Sequence, residues 1–218
     1  RRCAEAGVTF IGPSPAVLDT FGDKAQARAL AKQGNVPLLA GLNHAVSFEE
    51  ALDFFNTLPS GAGLMIKALA GGGGRGMRVV TEAGGLAEAF QQCKNEARNA
   101  FGRDDVYVEQ WLPSARHVEI QVLGDCKGNI IALGERECSL QRRHQKIMEI
   151  TPSPALSASL RERMYDAAIQ MASAVKYQGI GTFEFLVETA HGGVNNPQAE
   201  HFYFMEANPR LQVEHTIT

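Results

Sequence analysis

Two acidic residues stand inside apolar runs near the end of the chain, Glu184 within Gly181-Thr182-Phe183-Glu184-Phe185-Leu186-Val187 and Glu206 within His201-Phe202-Tyr203-Phe204-Met205-Glu206-Ala207-Asn208. An unpaired carboxylate there would be costly, so each must be paired, protonated or bound to metal. Two carboxylates with the amide oxygen of Asn208 suit magnesium, which takes hard oxygen ligands and shares them with phosphate; a salt-bridged structural pair is the alternative. Just beyond, Arg210 offers a planar fork for a small carboxylate-like anion, and Glu214 can act as a base. Upstream, the run Gly71-Gly72-Gly73-Gly74-Arg75-Gly76-Met77 exposes backbone N–H groups to an anion such as a polyphosphate, and Lys67 adds a mobile charge. Gly71, Gly73 and Gly76 satisfy G-x-G-x-x-G, but a strand follows where that fingerprint and the P-loop need a helix, and no Lys-Ser/Thr follows Gly76. A strand, glycine loop and strand covering a nucleotide is the better physical reading; a floppy surface hairpin is the other.

Two more cationic features fit an anionic ligand. Lys24 sits in the first turn of a helix capped by Asp23, where the dipole disfavours a lysine unless a phosphate uses both the N-terminus and the ammonium. An exposed lysine with no role is the alternative. Gln141-Arg142-Arg143-His144-Gln145-Lys146 is the densest basic run, suited either to a solvated face or to nucleotide phosphates. No serine or cysteine sits in a nucleophile elbow, and His117, His144 and His215 lack H-E-x-x-H spacing.

The elements that must position these groups follow from periodicity. Val8 to Gly12 reads as a short strand, with a helix after Pro15 and a second from Asp23 to Gly34. Ser47-Phe48-Glu49-Glu50 is a capping box, and Ala51, Leu52, Phe55 and Leu58 share the face of the helix it opens. Strands flank the glycines, a helix runs from about 85 to 100, and 106–112 is a strand. Residues 116–123 alternate, with Val118, Ile120 and Val122 opposite His117, Glu119 and Gln121, a polar face that is either solvent-exposed or lines a cleft. A partner strand covers 129–137, an amphipathic helix 156–176 is closed by Gly179, and 181–187 pairs with 201–208 as a hairpin. Strict alternation puts Phe183, Phe185 and Val187 away from Glu184, but places Glu206 and Asn208 on the face of Phe202 and Phe204.

With 218 residues, 44% of them hydrophobic, the chain can form one large domain or a domain with a smaller mobile piece. The net charge of −3 provides no global basic field, so no nucleic-acid partner is expected. Cys3, Cys93, Cys126 and Cys138 contain no C-x-x-C pair, which argues for reduced, mostly buried thiols. No apolar run approaches a bilayer span and no signal-peptide pattern opens the chain, so no membrane partner is expected. The expectation is a soluble intracellular protein, with cytoplasm and mitochondrion both open. The chain starts without Met and reads as an excised piece.

In order and spacing, Gly22-Asp23-Lys24, Ile66-Lys67-Ala68, the glycine run, Arg116-His117-Val118-Glu119, Gln141 to Lys146 and Glu206 to His215 closely resemble the biotin carboxylase component of biotin-dependent carboxylases. Carbamoyl phosphate synthases share the fold and bicarbonate activation, but the Gln-Arg-Arg-His-Gln-Lys and Arg-Leu-Gln-Val-Glu-His strings look like the biotin enzymes. The resemblance implies an α+β ATP-grasp fold with a small α/β lid over a larger, mainly antiparallel sheet with helices. It divides the chain into 1–35, the end of an N-terminal α/β domain with linking helices; 36–110, the lid; and 111–218, a core truncated at its C-terminal end. The implied reaction is ATP-dependent carboxylation of biotin through carboxyphosphate, as in acyl-CoA, pyruvate or urea carboxylases.

The resemblance also assigns roles. Lys24, Lys67, Gly73, Gly74, Met77, Glu109, Leu112, His117, Gln141 and His144 match nucleotide-contacting positions. Glu184, Glu206 and Asn208 match ligands of Mg2+ or Mn2+. Lys146, Arg210, Gln212, Val213 and Glu214 match the bicarbonate pocket, with Glu214 the base and Arg210 and Lys146 beside it. Biotin is implied as substrate on a carboxyl carrier domain, with a carboxyltransferase component as further partner and a homo-oligomeric parent. Ala70 stands where many relatives have glycine, and Gln110 where many have a basic residue. The family continues past Thr218 into a part that supplies an arginine near biotin, so a nucleotide-binding piece inactive by truncation is the rival reading, with a carbamoyl phosphate synthase-like ligase behind it.

Overall fold

The computed structural model describes residues 1–70, 76–142, 145–188 and 201–218. A short turn of helix, α1 (Arg2–Glu5), leads to α2 (Pro15–Gly22) and α3 (Lys24–Gln33). The Ser14 side chain accepts from Val17 N at the start of α2, and Asp23 accepts from Ala25 N and Gln26 N at the start of α3. Residues 8–12 are not a strand: Val8, Phe10 and Ile11 are exposed, and no described strand pairs with them, which leaves their backbone without a ladder.

A small unit follows. The Ser47–Glu50 capping box opens α4 (Phe48–Thr57), with both reciprocal bonds present. Strand β1 (Gly63–Ala68) pairs antiparallel with β2 (Met77–Val80) and with β3 (Val106–Trp111), in the order β2-β1-β3. Helix α5 (Leu86–Phe101) packs Leu86, Phe90, Cys93 and Ala97 inward and stops at Gly102, whose φ of 74° is the left-handed conformation that glycine adopts without strain. Leu64, Ile66, Val80, Val106 and Val108 join that stripe in a core of their own, with Val46 and Ala51.

The larger unit is a five-stranded antiparallel sheet in the order β6-β5-β4-β7-β8. Its strands are β4 (Ala115–Gly124), β5 (Ile130–Arg142), β6 (Gln145–Ile150), β7 (Gly179–Glu188) and β8 (Phe202–Asn208), with α6 (Ala158–Ala174) across one face. The helix is shorter than its apolar pattern. Ser157 caps it, it ends at Val175, and Gly179 begins β7 instead of closing it. Val118, Ile120 and Val122 meet α2, α3 and α6 in the second core, around Phe183, Phe185, Phe202 and Phe204. Phe21 packs edge-on to Phe183, with centroids 5.3 Å apart. The pattern rule of a polar face opposite an apolar one therefore places the polar side of β4 toward the small unit.

One alternation fails. Glu184 pairs with Glu206, but the next residue, Phe185, pairs with Phe204, so Met205 is an extra residue in β8. This bulge reverses the facing of everything beyond it. Phe202 and Phe204 stay in the core with Ala207, and Glu206 and Asn208 turn to the other side, beside Glu184 and not with the phenylalanines. All four cysteines are free; Cys93 and Cys138 are buried, Cys3 is partly so, and Cys126 is exposed.

Candidate functional site

A cleft of about 750 Å³ lies between the two sheets, and every candidate residue that falls on the described residues lines it. Gly73, Gly74 and His144 lie outside the described residues. Its roof is built by Lys67 on β1, Met77 on β2 and Glu109 on β3, with Leu112 just after β3. Its floor is the polar face of β4 to β8: His117, Gln141, Lys146, Glu184, Glu206 and Asn208. At one end, Arg210, Gln212, Val213 and Glu214 stand on the turn after β8, where a short 3-10 helix begins at Val213. Lys24 enters from the first turn of α3.

Floor contacts are dense. Glu184 accepts from His117 Nε2 at Oε2, at 2.6 Å, and at Oε1 from Asn208 Nδ2, at 2.7 Å, and from Lys146 Nζ, at 3.4 Å. Burial alone would raise the Glu184 carboxyl, but the His117 hydrogen bond and the Lys146 charge outweigh it and hold it below the ordinary carboxylate range. Gln141 Nε2 donates both to His117 Nδ1, at 2.7 Å, and to the Cys138 carbonyl, at 2.9 Å. The carbonyl accepts only, which orients the amide and leaves the His117 proton on Nε2, toward Glu184.

Lys146 also meets Glu119 Oε2, and Arg136 Nε meets Glu119 Oε1 at 2.5 Å. Desolvation pulls the Lys146 ammonium down, yet Glu184 and Glu119 hold it above the lysine range, so it stays a cation. Arg136, fully buried, extends the network to Gln121, Thr182 and Thr218. Beside it, burial and the charges of Glu119 and Glu214 push the Glu149 carboxyl up.

In the roof, Glu109 pairs with Lys67 through Oε1 and with Arg28 through Oε2, at 2.8 Å. Burial opposes the Lys67 charge, and Glu109 more than restores it, so the lysine is raised. Glu109 also lines the cleft, with its carboxylate held between these two cations.

The donor set at β7 and β8 fits a magnesium ion. Glu184 and Glu206 are register partners on one face, Asn208 follows on that face, and Glu206 pairs with Lys24 at 3.5 Å. His117, Glu119 and Glu184 also bring ligand atoms within 4.8 Å of one another. There, however, His117 Nε2 carries the proton it donates to Glu184 and has no lone pair for a metal, which leaves the all-oxygen set as the better one.

A family model described as the carbamoyl-phosphate synthase L chain, ATP binding domain, matches residues 23–218. The chain belongs to that family. It has the ATP-grasp fold, and it superposes on the biotin carboxylase of Campylobacter jejuni, solved in complex with βγ-ATP, with a TM-score of 0.91 at 40% identity over 99% of this chain and 46% of that one. A biotin carboxylase domain of the 2-oxoglutarate carboxylase from Hydrogenobacter thermophilus, solved with MgADP, ADP and bicarbonate, matches with a TM-score of 0.89 at 40% identity, over 99% of this chain and 46% of that one. Pyruvate carboxylase of Staphylococcus aureus is 48% identical over all of this chain and 18% of its own length. The chain thus spans about a fifth of that relative and just under half of each solved chain.

Within this ATP-binding domain, sequence reasoning passed over Arg28, Arg136 and Glu149. Arg28 was signalled by its spacing, four residues after Lys24 and so on the same helix face. Arg136, between Glu135 and Glu137, carried no such signal, because its partner Glu119 is on another strand.

Proposed function

We propose that this chain is the nucleotide-binding part of a biotin carboxylase, in which ATP phosphorylates bicarbonate to carboxyphosphate and the carbon dioxide it yields is transferred to biotin on a carrier domain. The observation that carries this reading is the joining of two anion sites by shared residues. Lys24, Lys67, Glu184, Glu206 and Asn208 form a set suited to a polyphosphate, and Lys146, paired to Glu184, belongs equally to a second set with Arg210, Gln212 and Glu214. Arg210 makes no ion pair among the described residues, and Gln212 Oε1 is a buried acceptor without a partner among them. A ligand that is anionic and also carries a hydrogen-bond donor satisfies both, and bicarbonate is such a ligand.

In this mechanism Arg210 and Lys146 hold bicarbonate in line with the terminal phosphoryl group, and Glu214 takes its proton. The freed oxygen bonds to the γ-phosphorus as the bond to the β–γ bridging oxygen breaks, and ADP leaves. Lys24 and Lys67 neutralise the phosphates, and the alignment supplies much of the acceleration. Glu184, Glu206 and Asn208 would hold magnesium, which would add charge neutralisation at the phosphates. The small unit, with residues 36–110 as the lid, closes over the cleft and keeps water from the reactive acyl phosphate; its separate core supports its moving as a body. Carrier domain, carboxyltransferase and a homo-oligomeric parent belong to the same reading, and the S. aureus relative makes pyruvate a candidate acceptor.

Two substitutions of similar size test it. Glu206→Gln is expected to raise the magnesium concentration needed for binding a non-hydrolysable ATP analogue by about tenfold, as for one lost charge-assisted contact. Glu214→Gln is expected to bind the same analogue as the unsubstituted chain does and to lose bicarbonate-stimulated ATP hydrolysis. Matching defects in both variants would overturn the division between the two sites.

A further inference from the structure

Arg28 is 2% exposed and does not line the cleft, and each of its three nitrogens donates to a protein oxygen. Nη1 donates to Glu109 at 2.8 Å, Nε to Asn43 Oδ1 at 2.6 Å, and Nη2 to the Leu39 carbonyl at 2.8 Å, while the guanidinium carbon stands 5.9 Å from the Tyr107 ring centroid. The chain makes room for this reach. Residues 40–42 run along β3, with Gln110 N donating to the Ala40 carbonyl and Leu42 N to the Val108 carbonyl. A Cβ on Gly41 would come within 2.9 Å of Glu109 Cβ and 3.0 Å of Arg28 Nη2, so a side chain there would press on both partners.

We infer that Arg28 is a positioning residue for the nucleotide, acting through Glu109 to leave Lys67 with uncompensated positive charge. The inference rests on the reading of the cleft as an ATP site. Glu109 lies between two cations, Arg28 at one oxygen and Lys67 at the other. Two cations and one carboxylate carry a net charge of +1, and the cation that lines the cleft is Lys67. Without Arg28, Lys67 and Glu109 become a closed neutral pair, and a phosphate must compete with a buried carboxylate for the same ammonium. Arg28 thus acts without touching the ligand. Its helix carries Lys24 one turn earlier, beside Glu206, so α3 holds charges for both sheets.

A purely structural tie between α3, the linker and β3 would produce the same contacts but not the same charge dependence. The test is titration of the chain with a non-hydrolysable ATP analogue and Mg2+, with thermal melts of the ligand-free variants as the check on folding. Arg28→Met is expected to weaken binding by about tenfold or more, the scale of one charge-assisted phosphate contact. Arg28→Met with Glu109→Gln removes both opposite charges and is expected to recover affinity to within about threefold, a coupling that Glu109→Gln alone completes as a double-mutant cycle. If the double variant stays as weak as Arg28→Met, the role is structural and the inference is wrong; unchanged binding in Arg28→Met also overturns it. Should Arg28→Met not fold, Arg28→Lys keeps the cation while losing the forked geometry: retained affinity supports the inference, and a loss as large as that of Lys67→Ala overturns it. Lys67→Ala separates the two levels, because unchanged affinity there would remove the ATP reading of the cleft itself.

Discussion

On the floor of the cleft Glu119 is shared by Arg136 and Lys146, all three from one five-stranded sheet, whereas in the roof Glu109 is shared by Lys67 of the small sheet and Arg28 of a helix in the larger unit. The chemistry of the two trios is the same, a carboxylate between a guanidinium and an ammonium. Their assembly differs. Floor charges are brought together by ladder pairing within the one sheet that also carries the second core. Roof charges are complete only when the two units meet. Disturbing the floor should therefore register in folding, and disturbing the roof in binding.

The largest expected effect tests the floor. Arg136 joins β4, β5, β7 and Thr218 through Glu119, Gln121, Thr182 and the Thr218 hydroxyl. Arg136→Met removes one partner of a buried ion pair and should cost about 3–5 kcal/mol in urea denaturation. A cost below about 1 kcal/mol would mean that the floor is no more tied to folding than the roof.

A smaller effect comes from one proton on the floor. Glu184 has a folded-state carboxyl held below its ordinary value of 4.5, so its contribution to stability is present above that pH and is lost as the pH falls below it. Unfolding measured between about pH 6 and pH 3 should therefore show a shallower loss in Glu184→Gln than in the unsubstituted chain. Parallel pH curves would show that His117 and Lys146 do not hold Glu184 as the geometry indicates.

The smallest effect sharpens the comparison from the roof side. Ser47 caps α4 and takes no part in the Glu109 ion pairs, and Ser47→Ala should cost about 1 kcal/mol of stability by the loss of its cap. Binding of the ATP analogue by the folded variant should not change. A fall in affinity comparable to that of Arg28→Met would show that general loosening of the small unit, and not its charge, governs the roof.

Local signals were legible where the cause is local. Asp23 and Ser47 sit at helix starts because their side chains satisfy orphan backbone groups, and that chemistry is written within a few residues. The polar face of β4 was legible too, although only the structure shows that it faces a cleft. What was hidden was non-local. Residues 8–12 have strand composition but no described partner. Arg28 and Glu109 stand 81 residues apart, so no spacing rule joins them. The facing of Glu206 was misread because alternation assumes one residue for one, and Met205 breaks that count.

That extra residue has a consequence for how β8 tolerates change in its length. Ahead of Met205 the strand is in phase with the oily side of the sheet, and after it the phase is inverted, so a one-residue deletion near this point would rewrite the address of Glu206 and Asn208 while leaving their identities intact. Point substitutions here are graded perturbations; a shift in length is not. In β8 the chemistry of the wet side is encoded by a residue count, and gaps in an alignment across 203–206 carry as much meaning as the letters.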